Sequence, residues 1–286
     1  MAGSLSFCDQ ALIRFIRFHL VGGLFLAACH PAPEPPTLVL TARDFAYHMP
    51  DQVPAGLVHL RLVNQGADLH EAVLVRLTGT QASAGAYVDS VRANVEFPSF
   101  GTDVGGPGLT LPGATADVWV TLAPGRYAVV CWKGDHLRRG MAHDLTVIPS
   151  SRPAVSPPSA QATMRLLNYA FQVTGDFQVG PQVIRIQNAG TEYHEADLFR
   201  LPEGKTPEDY LHWLEQGEAG LPPVEPVAGL GDLAPGGEIW VQATLRPGRY
   251  FWICRISAPD GHPHSELGMI REFTVGQVTA GSRHTT

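Results

Sequence analysis

Apolar and polar residues alternate along residues 57–63 and 183–187, the two-residue period of a half-buried β-strand. Ala128-Val-Val-Cys131 and Phe251-Trp-Ile-Cys254 are short apolar runs, each following a Pro-Gly turn signal at Pro124-Gly or Pro247-Gly. One stretch has a helical pattern. Thr206-Pro-Glu-Asp supplies an N-cap, a proline at the first helical position and acidic residues in the first turn. Tyr210, Leu211 and Leu214 continue it to about Gln216, and Gly217 can close it. A weaker counterpart falls near residues 84–93. Many short strands punctuated by turns predict an all-β sandwich architecture.

The pattern occurs twice. Asp44-Phe-Ala-Tyr47 returns as Asn168-Tyr-Ala-Phe171, and His70-Glu-Ala-Val-Leu-Val-Arg-Leu77 as His194-Glu-Ala-Asp-Leu-Phe-Arg-Leu201. Asp117-Val-Trp-Val120 matches Glu238-Ile-Trp-Val241, and Pro124-Gly-Arg-Tyr127 matches Pro247-Gly-Arg-Tyr250. The copies keep register up to the cysteine, after which the second has the longer loop. A duplicated unit explains this. A Pro/Ser tract at 149–160 reads as the linker between the copies. The expected organisation is a signal peptide over 1–28, a Pro-rich tether over 29–36, a first domain over 37–148, the linker, a second domain over 161–276 and a tail over 277–286.

Composition narrows the setting. The chain has 286 residues, 44% of them hydrophobic, with 30 Gly and 24 Pro, which suits packed, turn-rich domains. A net charge of -7 and the lack of a basic stripe argue against a nucleic-acid partner. Near the start, Arg14 and Arg17 precede an apolar stretch that ends in Leu26-Ala27-Ala28-Cys29. This resembles an export signal closed by the lipobox of bacterial lipoproteins, which implies cleavage before Cys29 and lipidation of its sulfur. Attachment to the membrane by that lipid, at the periplasmic or extracellular face of a bacterial envelope, is the expected location. Of the 4 cysteines, Cys8 would leave with the signal and Cys29 would carry lipid. Cys131 and Cys254 sit at matching places in the two copies, so no disulfide framework is expected.

Each copy carries one His, one Cys, a second His and one Met in the same order. They are His70, Cys131, His136 and Met141 in the first, and His194, Cys254, His264 and Met269 in the second. His-x4-Met is kept in both; His262 competes with His264, which preserves that spacing. Two imidazoles, a thiolate and a thioether form a donor set that serves both Cu(I) and Cu(II). With Asn64-Gln-Gly-Ala-Asp-Leu-His70 and Asn188-Ala-Gly-Thr-Glu-Tyr-His194, the set resembles the cupredoxin family of plastocyanin-like and azurin-like domains. The resemblance implies two tandem cupredoxin-like Greek-key β-sandwiches, each with a short inserted helix and one type 1 copper. Charged Arg138 and Arg139 depart from the apolar patch that the family usually keeps beside the second histidine.

The expected function is therefore one-electron transfer to an unidentified redox protein, not catalysis. His136 and His264 would be the solvent-facing ports, and Lys133, Arg138 and Arg139 would steer an acidic partner. Copper storage or a copper-free binding module is the alternative. A nitrite reductase or multicopper oxidase is less favoured, because the only His-x-His is His262-Pro-His264 and no His-Cys-His is present.

Overall fold

The structure is a computed structural model that describes residues 34–276 except Glu96. The signal peptide, the lipidation site at Cys29, most of the tether and the tail lie outside the described residues. In the first half the strands are β1 (Thr37–Arg43), β2 (Ala46–His48), β3 (Gln52–Pro54), β4 (Gly56–Asn64) and β5 (Val73–Leu77). Helix α1 (Ala84–Arg92) follows, then β6 (Gly101–Asp103), β7 (Thr115–Leu122), β8 (Gly125–Val130) and β9 (Ala142–Ile148). The second half contains β10 (Ala162–Leu167), β11 (Ala170–Gly175), β12 (Gly180–Asn188), β13 (His194–Leu201) and α2 (Pro207–Glu215). It closes with β14 (Glu225–Leu233), β15 (Glu238–Leu245), β16 (Gly248–Ile253) and β17 (Ile270–Val275). Residues 149–161 form neither strand nor helix.

Both halves are cupredoxin-like Greek-key sandwiches. In the first, β2-β1-β4-β7 face β6-β5-β8-β9-β3; in the second, β11-β10-β12-β15 face β14-β13-β16-β17. The alternation read along β4 places Val58, Leu60 and Leu62 in the core opposite Leu38 and Leu40 of β1 and Val118 and Val120 of β7. Strands β8 and β16 do not alternate because both of their faces are covered. Their inner face meets the opposing sheet and their outer face meets a helix. Tyr87, Val88 and Val91 of α1 pack on Val75, Ala128 and Val130, while Tyr210 and Trp213 of α2 pack on Phe199, Phe251 and Ile253.

Local chemistry sets the helix ends. The Ser83 side chain accepts the Ala86 N–H at 3.0 Å, a cap of about 1 kcal/mol. Asp209 accepts the Thr206 N–H at 3.0 Å and pairs with Lys205 at 2.9 Å; Gly217 ends α2 with a φ of 83°.

Two ladders join the halves about a pseudo-two-fold axis. Strand β7 pairs antiparallel with β15, setting Trp119 opposite its repeat equivalent Trp240, so one eight-stranded sheet runs through both halves. A second ladder pairs residues 103–108 with 229–234. Gly108 N–H donates to Gly229 O at 3.1 Å and Gly231 N–H to Gly106 O at 3.2 Å, with Pro107 opposite Leu230. A Cβ on Gly106 would overlap the Ala72 carbonyl, and one on Gly229 would lie 2.8 Å from the Ala196 carbonyl. Such close backbone approach requires glycine.

Asp103 and Asp232 are buried together beside this ladder. Burial pushes the Asp103 carboxyl up to about 7 and Asp232 well above its ordinary range. The Tyr87 hydroxyl donates to Asp103 Oδ1 at 3.4 Å, and Oδ2 meets no donor. An unfolded aspartate titrates near about 3.9, so between there and neutrality the folded chain keeps a proton that the unfolded chain has lost. Stability contributed by this pair therefore falls as pH rises through that window. We expect Asp103→Asn to flatten the slope, as read from urea midpoints at about pH 5 to 8.

Candidate metal centres

The first loop of each half is built to aim a histidine. Asn64 donates to the carbonyls of Asp68 and Thr110 at 2.7 and 2.8 Å, and its Oδ1 accepts the Gly66 N–H. Asn188 does the same with Glu192, Leu233 and Gly190. The glycine has a steric reason. A Cβ on Gly66 would collide with Asp44 Oδ1 and lie 2.6 Å from His70 Nε2, the two atoms that bond each other; Gly190 stands in the same relation to Asn168 and His194. The second side comes from the loop after β8 or β16. Cys131 N–H donates to Met141 O and Met141 N–H to His136 O, at 3.3 and 3.0 Å. Cys254, Met269 and His264 repeat this at 3.1 and 2.9 Å, so the longer second loop bulges without disturbing the ligand end.

The result is two enclosed triads, His70–Cys131–His136 and His194–Cys254–His264, with the donor atoms of each within 4.8 Å of one another. Cys131 Sγ lies 3.9 Å from His70 Nδ1 and 3.5 Å from His136 Nδ1. In the second triad, Cys254 Sγ to His264 Nδ1 is 3.4 Å and His194 Nδ1 to His264 Nδ1 is 3.1 Å. Met141 and Met269 are fully buried in the core around these triads. His262 is exposed and faces Glu266, while His264 enters the triad. Both core cysteines are free.

Every Nε2 is tied to an acceptor: His70 to Asp44 at 2.7 Å, His136 to Asp68 at 3.3 Å, His194 to Asn168 at 3.2 Å and His264 to Glu192 at 3.0 Å. An acceptor at Nε2 holds the proton there and turns the Nδ1 lone pair toward the sulfur. Burial disfavours the charged form of one ring in each triad. It holds His136 below its ordinary value and, with the neighbouring His264, brings His194 down to about 4. Burial and the Glu71 charge push the Cys131 thiol up to about 12, and burial moves Cys254 the same way. A thiol so poised ionises near neutral pH when a cation bonds the sulfur and displaces its proton to solvent. Two imidazole nitrogens and one thiol sulfur converging on a point fit a copper ion.

The glutamates after the first histidines act on the cysteine loops. Glu71 Oε1 accepts the Trp132 N–H at 2.9 Å, and Glu195 Oε1 accepts the Arg255 N–H at 2.6 Å. Burial lifts the Glu71 carboxyl to about 7. Arg255 is paired with Glu195 and Asp197 at 2.9 and 3.0 Å. The repeat made these glutamates visible in the sequence, but their buried role was not. The Nε2 acceptors had a fainter signal, a carboxylate two residues before each first histidine (Asp68, Glu192) and an amide or carboxylate at Asp44 and Asn168.

Two expectations need correction. His136 and His264 are not solvent-facing, with 3% and 0% exposure; Phe45 and Tyr169 cover them edge-on at centroid distances of 4.8 and 5.0 Å. Lys133 is not a surface charge. It is buried against Trp213 and paired with Glu218 at 2.9 Å, because α2 of the other half lies over it. Arg138 turns to Asn94, leaving Arg139 over the Phe45 ring at 3.4 Å.

No family model matches the chain, and no curated protein matches it. Among solved structures, auracyanin from the photosynthetic bacterium Roseiflexus castenholzii is similar, at 25% identity over 42% of this chain and 100% of its own, with a TM-score of 0.31. Auracyanin B is 27% identical over 41% of this chain and 94% of its own, with a TM-score of 0.31. A copper nitrite reductase from Nitrosomonas europaea is 14% identical over 86% of this chain and 95% of its own, with a TM-score of 0.26. Among the described residues no helix is long and apolar enough to cross a membrane.

Proposed function

We propose that this chain is an envelope-anchored blue-copper protein, carrying one type 1 copper in each half and passing single electrons to a redox protein. The observation that carries the reading is the pair of buried triads whose ring protons are already tied off outside the metal position. Ligands held this way by both sheets and by outer hydrogen bonds move little when the metal changes oxidation state. When bound, copper supplies a one-electron couple, with the thiolate and the methionine region favouring Cu(I) and the imidazoles serving both states. The chain's part is to fix the geometry and exclude water. Preformed, enclosed ligands favour electron transfer over copper storage or a copper-free module. The two triads are the groupings of three or more metal-type ligands found among the described residues.

Asp44 and Asp68, which hold the first centre's imidazoles, also line a hollow of about 340 Å³ together with Phe45, Ala67, Gly220 and Leu221. Leu221 is 56% exposed there, and this rim is the proposed contact for the redox partner at the first centre. Anchoring through Cys29 at the outer side of a bacterial inner or outer membrane completes the proposal, on the strength of the export-signal pattern. Titration of the full chain with Cu(II) is the test. Saturation at two equivalents with an intense visible thiolate-to-copper band and a narrow-hyperfine paramagnetic spectrum is expected. Colourless binding, or none, would overturn the reading.

A further inference from the structure

Three aromatic rings span the junction between the halves. Trp132 is peptide-bonded to Cys131, and Tyr193 to His194. Phe97, from the loop after α1, lies between them. Its ring stacks on Tyr193 at 4.9 Å with planes 9° apart and stands 6.1 Å from Trp132. Phe97 and Tyr193 pack against the shared core, and Tyr87 braces Trp132 edge-on at 6.1 Å. Three side chains in van der Waals contact thus connect the cysteine of one triad to a histidine of the other. The pseudo-two-fold axis would place a second such row, but there Arg255 replaces Trp132 and Leu69 replaces Tyr193. The aromatic row exists once, so the fold's symmetry does not require it.

We propose that the row Trp132–Phe97–Tyr193 conducts electrons between the two centres, making the chain a two-electron unit that equilibrates internally. This rests on the copper reading. Tunnelling slows steeply with each gap in the intervening medium, and contacting π-systems replace gaps with polarisable matter at ordinary packing distance. The rings pass one electron from the reduced centre to the oxidised one; no bond forms or breaks, and no proton moves. A backbone route also crosses the axis, from Ala72 N–H to Pro107 O at 2.8 Å and from Gly108 N–H to Gly229 O, and it sets the rate left when the rings are interrupted.

The experiment uses the copper-loaded full chain carrying Met141→Gln, which separates the first centre from the second in potential and absorption. A pulse of hydrated electrons reduces part of the sample, and absorbance follows redistribution. The expected result is a first-order phase, independent of protein concentration, in which one centre reoxidises as the other is reduced. Phe97→Leu should slow that phase by an order of magnitude or more with both spectra and both potentials unchanged, and Phe97→Tyr should restore it. An unchanged rate in Phe97→Leu, or redistribution that scales with protein concentration, overturns the relay while leaving two blue centres in place. A chain that shows no thiolate-to-copper band overturns the copper reading and the relay with it.

Discussion

Replacing Cys131 or Cys254 with serine is expected to remove one thiolate-to-copper band each, and the double variant all visible colour. Each sulfur is fully buried and within 3.9 Å or less of an imidazole Nδ1 of its triad. A hydroxyl there is a harder donor, ionises far less readily than a thiol and has no thiolate charge to transfer into copper. The loss should be site-specific, because the two triads share no residue. A thermal readout follows from linkage. A metal that binds only the folded state at about a thousandfold above its Kd adds about 4 kcal/mol, so copper should raise the Tm of the parent chain and barely move that of the double variant. Retention of the full visible band in either single variant would show that the sulfur in question is not a ligand.

Arg255→Met is expected to cost about 3–5 kcal/mol of folding stability near pH 7, the usual effect of stripping one partner from a buried ionic cluster. Arg255 is largely enclosed, with a side-chain exposure of 17%, against 6% for Glu195 and 2% for Asp197, its two partners. Burial raises the Asp197 carboxyl and the guanidinium opposes that rise. Methionine fills much of the volume but removes the opposing charge, so the folded-state value for Asp197 moves further up while the unfolded one stays near about 3.9. In that window the folded variant binds a proton that the unfolded chain lacks, so its stability falls as pH rises. Because the parent's Asp197 is already raised, the deficit should widen with pH only above the parent's own value, and Asp197→Asn in the same chain should recover part of it, a coupling that a double-mutant cycle measures. A deficit below about 1 kcal/mol at neutral pH would mean that the cluster is solvated like a surface pair.

Much of the architecture was legible along the chain. Alternation marked β4 and β12, the Pro-Gly signals marked the starts of β8 and β16, and Thr206-Pro207 through Gly217 marked α2. These succeed because period and turn chemistry are local: a strand with one buried face must alternate, and a helix must cap its first free N–H groups. The eight ligand candidates were legible for another reason. Duplication displayed the same four residue types in the same order twice, and the preference for His264 over His262 followed from its spacing to Met269.

What stayed hidden concerns partners rather than patterns. Lys133 reads as a surface cation, since nothing near it in sequence names Trp213 and Glu218 as its neighbours. His136 and His264 read as exposed edges, since Phe45 and Tyr169 arrive from distant strands. For Glu71 and Glu195 nothing nearby names the acceptor role, since each accepts the N–H of the residue after Cys131 or Cys254, some sixty residues away.

The sequence by itself therefore determined the duplicated β-sandwich and the order in which the candidate donors recur, because periodicity, turn chemistry and repetition are written in local spacing. Only the tertiary structure decided that β7 and β15 fuse the two halves into one sheet, that each imidazole proton is held from outside, and that Phe97 stands between Trp132 and Tyr193. Those outcomes depend on which surfaces meet across long stretches of chain, where burial of whole faces selects the partner and no local pattern records the choice.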